Sequence, residues 1–139
     1  MEQTLILLKP DCVQHNRCGA VIQRLEAAGG KIRAAKMLTL SETMLKEHYA
    51  HIAHLPFFPD IQKFMRETPV IALVLTGESI IAKVRDLLGP TDSTIAPKGT
   101  IRGDFGVSKM RNVVHASDSP ENAAREIKRF FADGEVFAF

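Results

Sequence analysis

The chain has no tryptophan, one tyrosine and two cysteines, and its longest apolar runs are Leu5–Leu8 and Val70–Leu75. Neither run approaches the roughly 18 apolar residues of a membrane span. Cys12 and Cys18 are too few for a disulfide framework, and a metal site built on them needs further ligands. The start, Met1-Glu2-Gln3-Thr4 with Lys9 close behind, lacks the basic head, long apolar core and small-residue cleavage site of a secretory signal. A cytoplasmic location with both thiols reduced is therefore expected. Charge of one sign is also lacking. Eighteen basic residues face sixteen acidic ones, and a net +2 excludes a histone-like or polybasic nucleic-acid binder. The motifs G-x-x-x-x-G-K-[ST], post-strand G-x-G-x-x-G, G-x-S-x-G and H-E-x-x-H are absent. Any phosphate site must then be built from side chains and not from a glycine cradle.

What is present suits one soluble domain spanning residues 1–139, with 45% hydrophobic and 24% charged residues and no linker or repeat. Residues 3–8 read as a buried strand, ended at Lys9-Pro10-Asp11 because Pro10 cannot donate to a central ladder. A helix follows from Cys18 to Ala28, stopped by Gly29-Gly30. Lys31–Leu40 reads as a second strand with Ile32, Ala34, Lys36 and Leu38 on one face. Ser41 caps a predicted helix from Glu42 to about Ala53, and a second runs from about Pro59 to Arg66. Pro69–Leu75 is a β-branched strand, and Thr76-Gly77-Glu78 opens a helix through Leu88, closed by Gly89-Pro90. Residues 91–111 show no sustained period, and so long an irregular stretch in a compact domain is usually functional. Val113–His115 is a short strand, and Ser119-Pro120-Glu121 starts a last helix to about Phe131. Without the inserts the order is β-α-β-β-α-β, an α+β, ferredoxin-like antiparallel sheet with helices on its faces.

His115 stands at a strand-to-helix junction, where ligands commonly bind in α/β folds. Glu126, on the following helix, is placed to orient its imidazole, an arrangement found around catalytic nucleophiles. Arg85, Thr91, Lys98, Arg102, Lys109, Arg111 and Asn112 offer the forks and hydroxyls that a polyphosphate needs, with Lys9 as a further point charge. Residues 83–111 carry six basic groups against three acids, so the near-neutral total conceals a concentrated basic region. A salt bridge between Arg102 and Asp104 is the structural alternative there. His48, His51 and His54 recur every third residue, drift around a helix, and read first as solvated surface groups. His15 lies in a polar turn and receives no role.

The segment Asn112-Val113-Val114-His115-Ala116-Ser117-Asp118-Ser119 resembles the N-x-x-H-G-S-D-S signature of the nucleoside diphosphate kinases. Gly99-Thr100-Ile101-Arg102-Gly103-Asp104-Phe105, Lys9-Pro10-Asp11 and Pro56-Phe57-Phe58 are similar to further family segments, in the same order and spacing. The resemblance implies a ferredoxin-like core, a protruding nucleotide-binding loop over residues 91–111, and a homo-tetramer or homo-hexamer. It implies ping-pong transfer of the γ-phosphoryl group of ATP, or another nucleoside triphosphate, to a nucleoside diphosphate. The carrier is a phosphohistidine at His115, with Mg2+ mainly on the nucleotide phosphates and no protein-held metal. By the same resemblance, Phe57 stacks on the base, and Lys9 and Asn112 hold the ribose hydroxyls, Lys9 also lying near the transferred phosphate. Arg85, Thr91 and Arg102 bind phosphates, Tyr49 lies near the reacting group, and Ser117 and Glu126 orient the His115 ring. Base stacking without edge contacts accounts for broad nucleotide choice. Two departures stand out: Ala116 where glycine is usual, which displaces His115 if that position needs positive φ, and His51 where an acid is common. A nucleic-acid-binding module and a decayed regulatory relative are the competing readings. The first has little support from one tyrosine and balanced charge, and retention of the nucleotide-contact residues opposes the second.

Overall fold

The computed structural model describes residues 1–139. Four strands form one antiparallel sheet in the order β2-β3-β1-β4: β1 (Glu2–Leu8), β2 (Lys31–Leu38), β3 (Val70–Gly77) and β4 (Val114–Ala116). Seven α-helices connect and cover them: α1 (Pro10–Gln14), α2 (Cys18–Ala27), α3 (Glu42–His48), α4 (Phe58–Met65), α5 (Ile80–Leu88), α6 (Ile101–Phe105) and α7 (Pro120–Phe130). Both faces of β1 are buried, and its alternation divides the core. Ile6 and Leu8 join Leu73, Leu75, Val21, Leu25 and Val84 on one side. Leu5 and Leu7 join Val70, Ala72, Leu45, Phe64 and Phe130 on the other. The continuous apolar runs of β1 and β3 follow from this double burial.

Several boundaries differ from the sequence-based expectations, each for a physical reason. Pro10 ends β1 and also begins α1, because proline's missing N–H costs nothing at the first helical position. A register shift between Ile32 and Ala34 sends Ile32 to the first core and Ala34 and Leu38 to the second, so these three do not share a face. The helix expected to reach Ala53 stops at His48, with Tyr49 as its C-cap and turns beyond. β3 continues to Gly77, and α5 begins only at Ile80. Ser79 offers no cap to α5; the carboxylate of Glu2 accepts from the Ile81 N–H at 3.2 Å instead. The segment over residues 91–111 holds a 3-10 turn at Ser93–Ile95 and helix α6. Both are too short to print a period on the sequence. Thr100 caps α6 by accepting from Gly103 N–H at 3.0 Å, and a β-carbon at Gly103 would collide with the Pro97 carbonyl. The Ser41 and Ser119 caps form as expected, each accepting from the N–H three residues on at 3.1 Å.

Candidate active site

A cavity of about 890 Å³ opens where β1 and β4 end, between α3, α4, α7 and the 91–111 segment. Lys9, Tyr49, Phe57, Arg85, Thr91, Arg102, Asn112, His115 and Glu126 all line it, so residues expected from the sequence converge from every part of the chain. Ser117 is fully buried behind the wall.

β4 places His115 opposite Leu7 of β1. The site tolerates the Ala116 methyl without displacing His115, because Ala116 lies in the strand and is not among the residues with positive φ. Positive φ occurs instead two residues before His115, at Val113, with φ of +66°. A β-branched residue there costs roughly 1–2 kcal/mol. Both its peptide groups are clamped: its N–H donates to Asp11 Oδ2 at 3.0 Å, and its carbonyl accepts from the Lys9 N–H at 2.9 Å. The turn Lys9-Pro10-Asp11 thereby aims the strand that carries His115.

The His115 Nε2 lies 3.1 Å from Glu126 Oε2, and Glu126 Oε1 accepts from the Ser117 hydroxyl at 2.7 Å. Burial alone would raise the Glu126 carboxyl, but bonding and charge from His115, the Ser117 bond and His48 outweigh it and hold it at about 2. An ionised carboxylate only accepts, so Nε2 carries the proton and Nδ1 keeps its lone pair. Ser117 is linked to His115 through Glu126 and not by direct contact, its oxygen also accepting from the Leu5 N–H at 3.0 Å.

Lys9 is 7% exposed and donates to the Met110 carbonyl and to Asn112 Oδ1, each at 2.7 Å. Burial pushes its ammonium down to about 8, with Asp11 opposing and Arg102 adding to the effect. Asn112 spends its amide on the carbonyls of Thr91 and Lys109, at 3.0 and 3.1 Å, so it ties the loop to β1. Arg102 donates to the carbonyls of Gly89 and Val114 at 3.1 and 2.8 Å, while its Nε is buried without a partner. Burial first and then Arg85 lower it to about 10. The structural alternative, an Arg102–Asp104 bridge, is not formed: Asp104 pairs with Arg24 at 2.8 Å. Three cations, Lys9, Arg85 and Arg102, thus line one wall with no acid between Arg85 and Arg102, the electrostatics of an anion site. Phe57, 49% exposed, lines the same cavity, as do Ile61 and Phe64.

Sequence profiles and structural neighbours carry this geometry further. The profile of the nucleoside diphosphate kinase family matches residues 2–136. The chain belongs to that family. A nucleoside diphosphate kinase of Staphylothermus marinus is 49% identical over 97% of this chain and 96% of its own length. One from Archaeoglobus fulgidus is 48% identical, covering 98% and 90%. Among solved structures, the apo enzyme of Encephalitozoon cuniculi superposes with a TM-score of 0.95 at 37% identity, over 100% of this chain and 95% of that one. A Halobacterium salinarum nucleoside diphosphate kinase in complex with CDP superposes at 0.95 with 38% identity, over 99% and 92%. The ferredoxin-like α+β fold expected from the sequence is that of these kinases, and no helix is long and apolar enough to cross a membrane.

Sequence reasoning within this family pattern missed one group. His48, taken for a solvated surface residue, is buried, and its ring meets that of His115 edge-on at 4.7 Å. The usable signal was its spacing of three from buried Leu45 on the same face of α3. Burial first, then His115, lower it to about 3; Glu126 opposes, and Arg129 and His51 add to the lowering. The ligand atoms of His48, His115 and Glu126 lie within 4.8 Å of one another, yet Arg129 Nη1 sits 3.0 Å from His48 Nδ1. One of the three ligand atoms, His48 Nδ1, is thus already taken by a guanidinium. His51 lines the cavity but is exposed, and His54 and His15 lie outside it.

Proposed function

We propose that the chain transfers the γ-phosphoryl group of a nucleoside triphosphate to a nucleoside diphosphate through a phosphohistidine at His115 Nδ1. The observation that carries this is the His115–Glu126–Ser117 chain facing the cationic wall: Nε2 is engaged at 3.1 Å, which leaves Nδ1 as the free nucleophile. In the forward half-reaction the Nδ1 lone pair forms a bond to the γ-phosphorus, the bond to the bridging oxygen breaks, and the nucleoside diphosphate leaves with that electron pair. Glu126 holds the Nε2 proton throughout and offsets the positive charge that develops on the ring. The second half-reaction is the same displacement reversed onto another diphosphate. Phosphoryl transfer asks a protein for positioning and charge compensation, and these residues supply both.

Phe57 stacks on the base, Arg85, Arg102 and Thr91 bind phosphates, and Tyr49 packs beside the reacting group. Lys9 has one ammonium proton beyond its two internal bonds to offer a ribose hydroxyl or the transferred phosphate. Asn112 has only a carbonyl lone pair left, so it accepts from a ribose hydroxyl. The cavity wall fits Mg2+ as a companion of the phosphates: Glu126 is engaged and Asp118 accepts from Asn122 at 2.6 Å, so no carboxylate cage is built. When bound to the phosphates, Mg2+ spreads their negative charge. We place the protein in the cytoplasm, where Cys12 and Cys18 stay as thiols, and in a homo-tetramer or homo-hexamer.

The deciding experiment is intact mass after mixing with Mg-ATP and no acceptor. One acid-labile phosphoryl group should appear, vanish on adding a diphosphate, and never appear on His115→Ala. A group that persists on His115→Ala overturns the assignment.

A further inference from the structure

His48 and Arg129 take part in neither half-reaction, yet they form the back of the site. Two imidazoles share one carboxylate oxygen. His115 Nε2 lies 3.1 Å from Glu126 Oε2, and His48 Nδ1 lies 3.9 Å from the same atom. Which ring holds Glu126 depends on which has a proton to give it. Arg129 Nη1 approaches His48 Nδ1 at 3.0 Å, and a guanidinium has donors only. His48 Nδ1 is therefore the acceptor, and the proton of the neutral ring sits on Nε2.

We propose that Arg129 is a positioning residue that acts through His48: by donating to Nδ1 it keeps His48 from bonding Glu126 and so reserves that carboxylate for His115. The ring is caged, edge-on to Tyr49 at 4.9 Å, to His115 at 4.7 Å and to Phe130 at 5.4 Å. Its protonation state is what remains to be set. The charged and titratable groups that face it are Tyr49 and His51 from its own side, His115 from β4, and Glu126 and Arg129 from α7. Among these, Glu126 favours a proton on His48, and His115, Arg129 and His51 oppose it. Arg129 also faces Glu47, whose Oε1 lies 3.4 Å from its Nε without completing a hydrogen bond, and its side chain is 14% exposed. Without that guanidinium, His48 Nδ1 is open to a proton, by tautomer exchange of the neutral ring or, as pH falls, by full protonation, and a ring protonated there bonds Glu126 in place of His115.

The proposal rests on His115 as the nucleophile, and two readouts separate the two claims. The first needs no variant. Nitrogen-15 NMR of the wild-type protein should show His48 neutral with its proton on Nε2; a proton on Nδ1 overturns the proposal whatever His115 does. The second is the ratio of kcat at about pH 5.5 to kcat at about pH 8, with KM measured alongside. For Arg129→Met that ratio should fall on the order of tenfold relative to wild type. Adding His48→Phe to Arg129→Met should restore the ratio, because the competing ring is gone. A kcat loss that is equal at both pH values and is not relieved by His48→Phe marks a merely structural role. A change confined to KM makes Arg129 a phosphate ligand, and an acid loss that survives His48→Phe removes His48 from the pathway. Each of these three outcomes overturns the proposal. Failure of the nucleophile reading appears elsewhere, as wild-type protein that takes no phosphoryl group on His115.

Discussion

Lys9 carries its charge in a place that water barely reaches, and this makes the site sensitive to alkali. At neutral pH the buried ammonium costs the fold roughly 3 kcal/mol, a cost accepted where an anion will meet it. With its pKa near 8, Lys9 is mostly charged at pH 7 and mostly neutral at pH 9. Affinity for a nucleoside diphosphate, measured by calorimetry, should therefore weaken by up to about tenfold between those values. Lys9→Met should bind weakly at both and show a flat profile. Glu126→Gln tests the other pole of the site. An amide does not offset charge on the imidazole, and kcat should drop by ~100-fold with little change in KM. Lys9 and His115 were legible because they stand where strands end within recognisable segments, and Glu126 because it is an acid on the helix that follows His115. Asp11 as the clamp on Val113 was not, because that bond joins residues 102 apart in sequence and no local pattern announces it. Arg129 was hidden for a similar reason: its partner His48 is 81 residues away.

Among the elements, α7 and the short strand before it do most to hold the geometry. Ser119 caps α7, and Ser119→Ala should lower stability by about 1 kcal/mol in urea unfolding, with little effect on the phosphoryl-enzyme. Asp11→Ala should do more. It frees the N–H of a valine held at positive φ, leaving a buried donor unpaired, and should cost about 1–3 kcal/mol together with a fall in kcat. A stability loss without a kcat change would separate the clamp from catalysis. The sequence periods located all four strands and the longer helices, because double burial and caps leave strong patterns. They could not show α6, which is only five residues long, nor the slip between Ile32 and Ala34, which is set by pairing with β3.

For the whole molecule, acid is the condition that should undo site and fold together. The folded-state pKa of Glu126 lies below its ordinary value, so its contribution to stability is full above about pH 4.5 and is lost as pH falls through about 2. Thermal melting between pH 5 and pH 2 should show a falling Tm, and Glu126→Gln should flatten part of that slope. The charge distribution belongs to this scale too: a net +2 conceals a cavity that gathers Lys9, Arg85 and Arg102.

The central position of β1 has a consequence for how the chain is made. β1 leaves the ribosome well before its neighbours in the sheet, since β3 and β4 begin at Val70 and Val114. At ordinary synthesis rates, roughly 5–20 residues per second, the apolar run Leu5–Leu8 waits several seconds for its first partner and longer for its second. Glu126 follows later still, so for some time a nascent chain holds the cavity-lining cations without the carboxylate that faces His115. Under the proposed reaction, phosphoryl transfer reaches its full rate only once the last helix has docked, which makes that rate a reporter of completed folding.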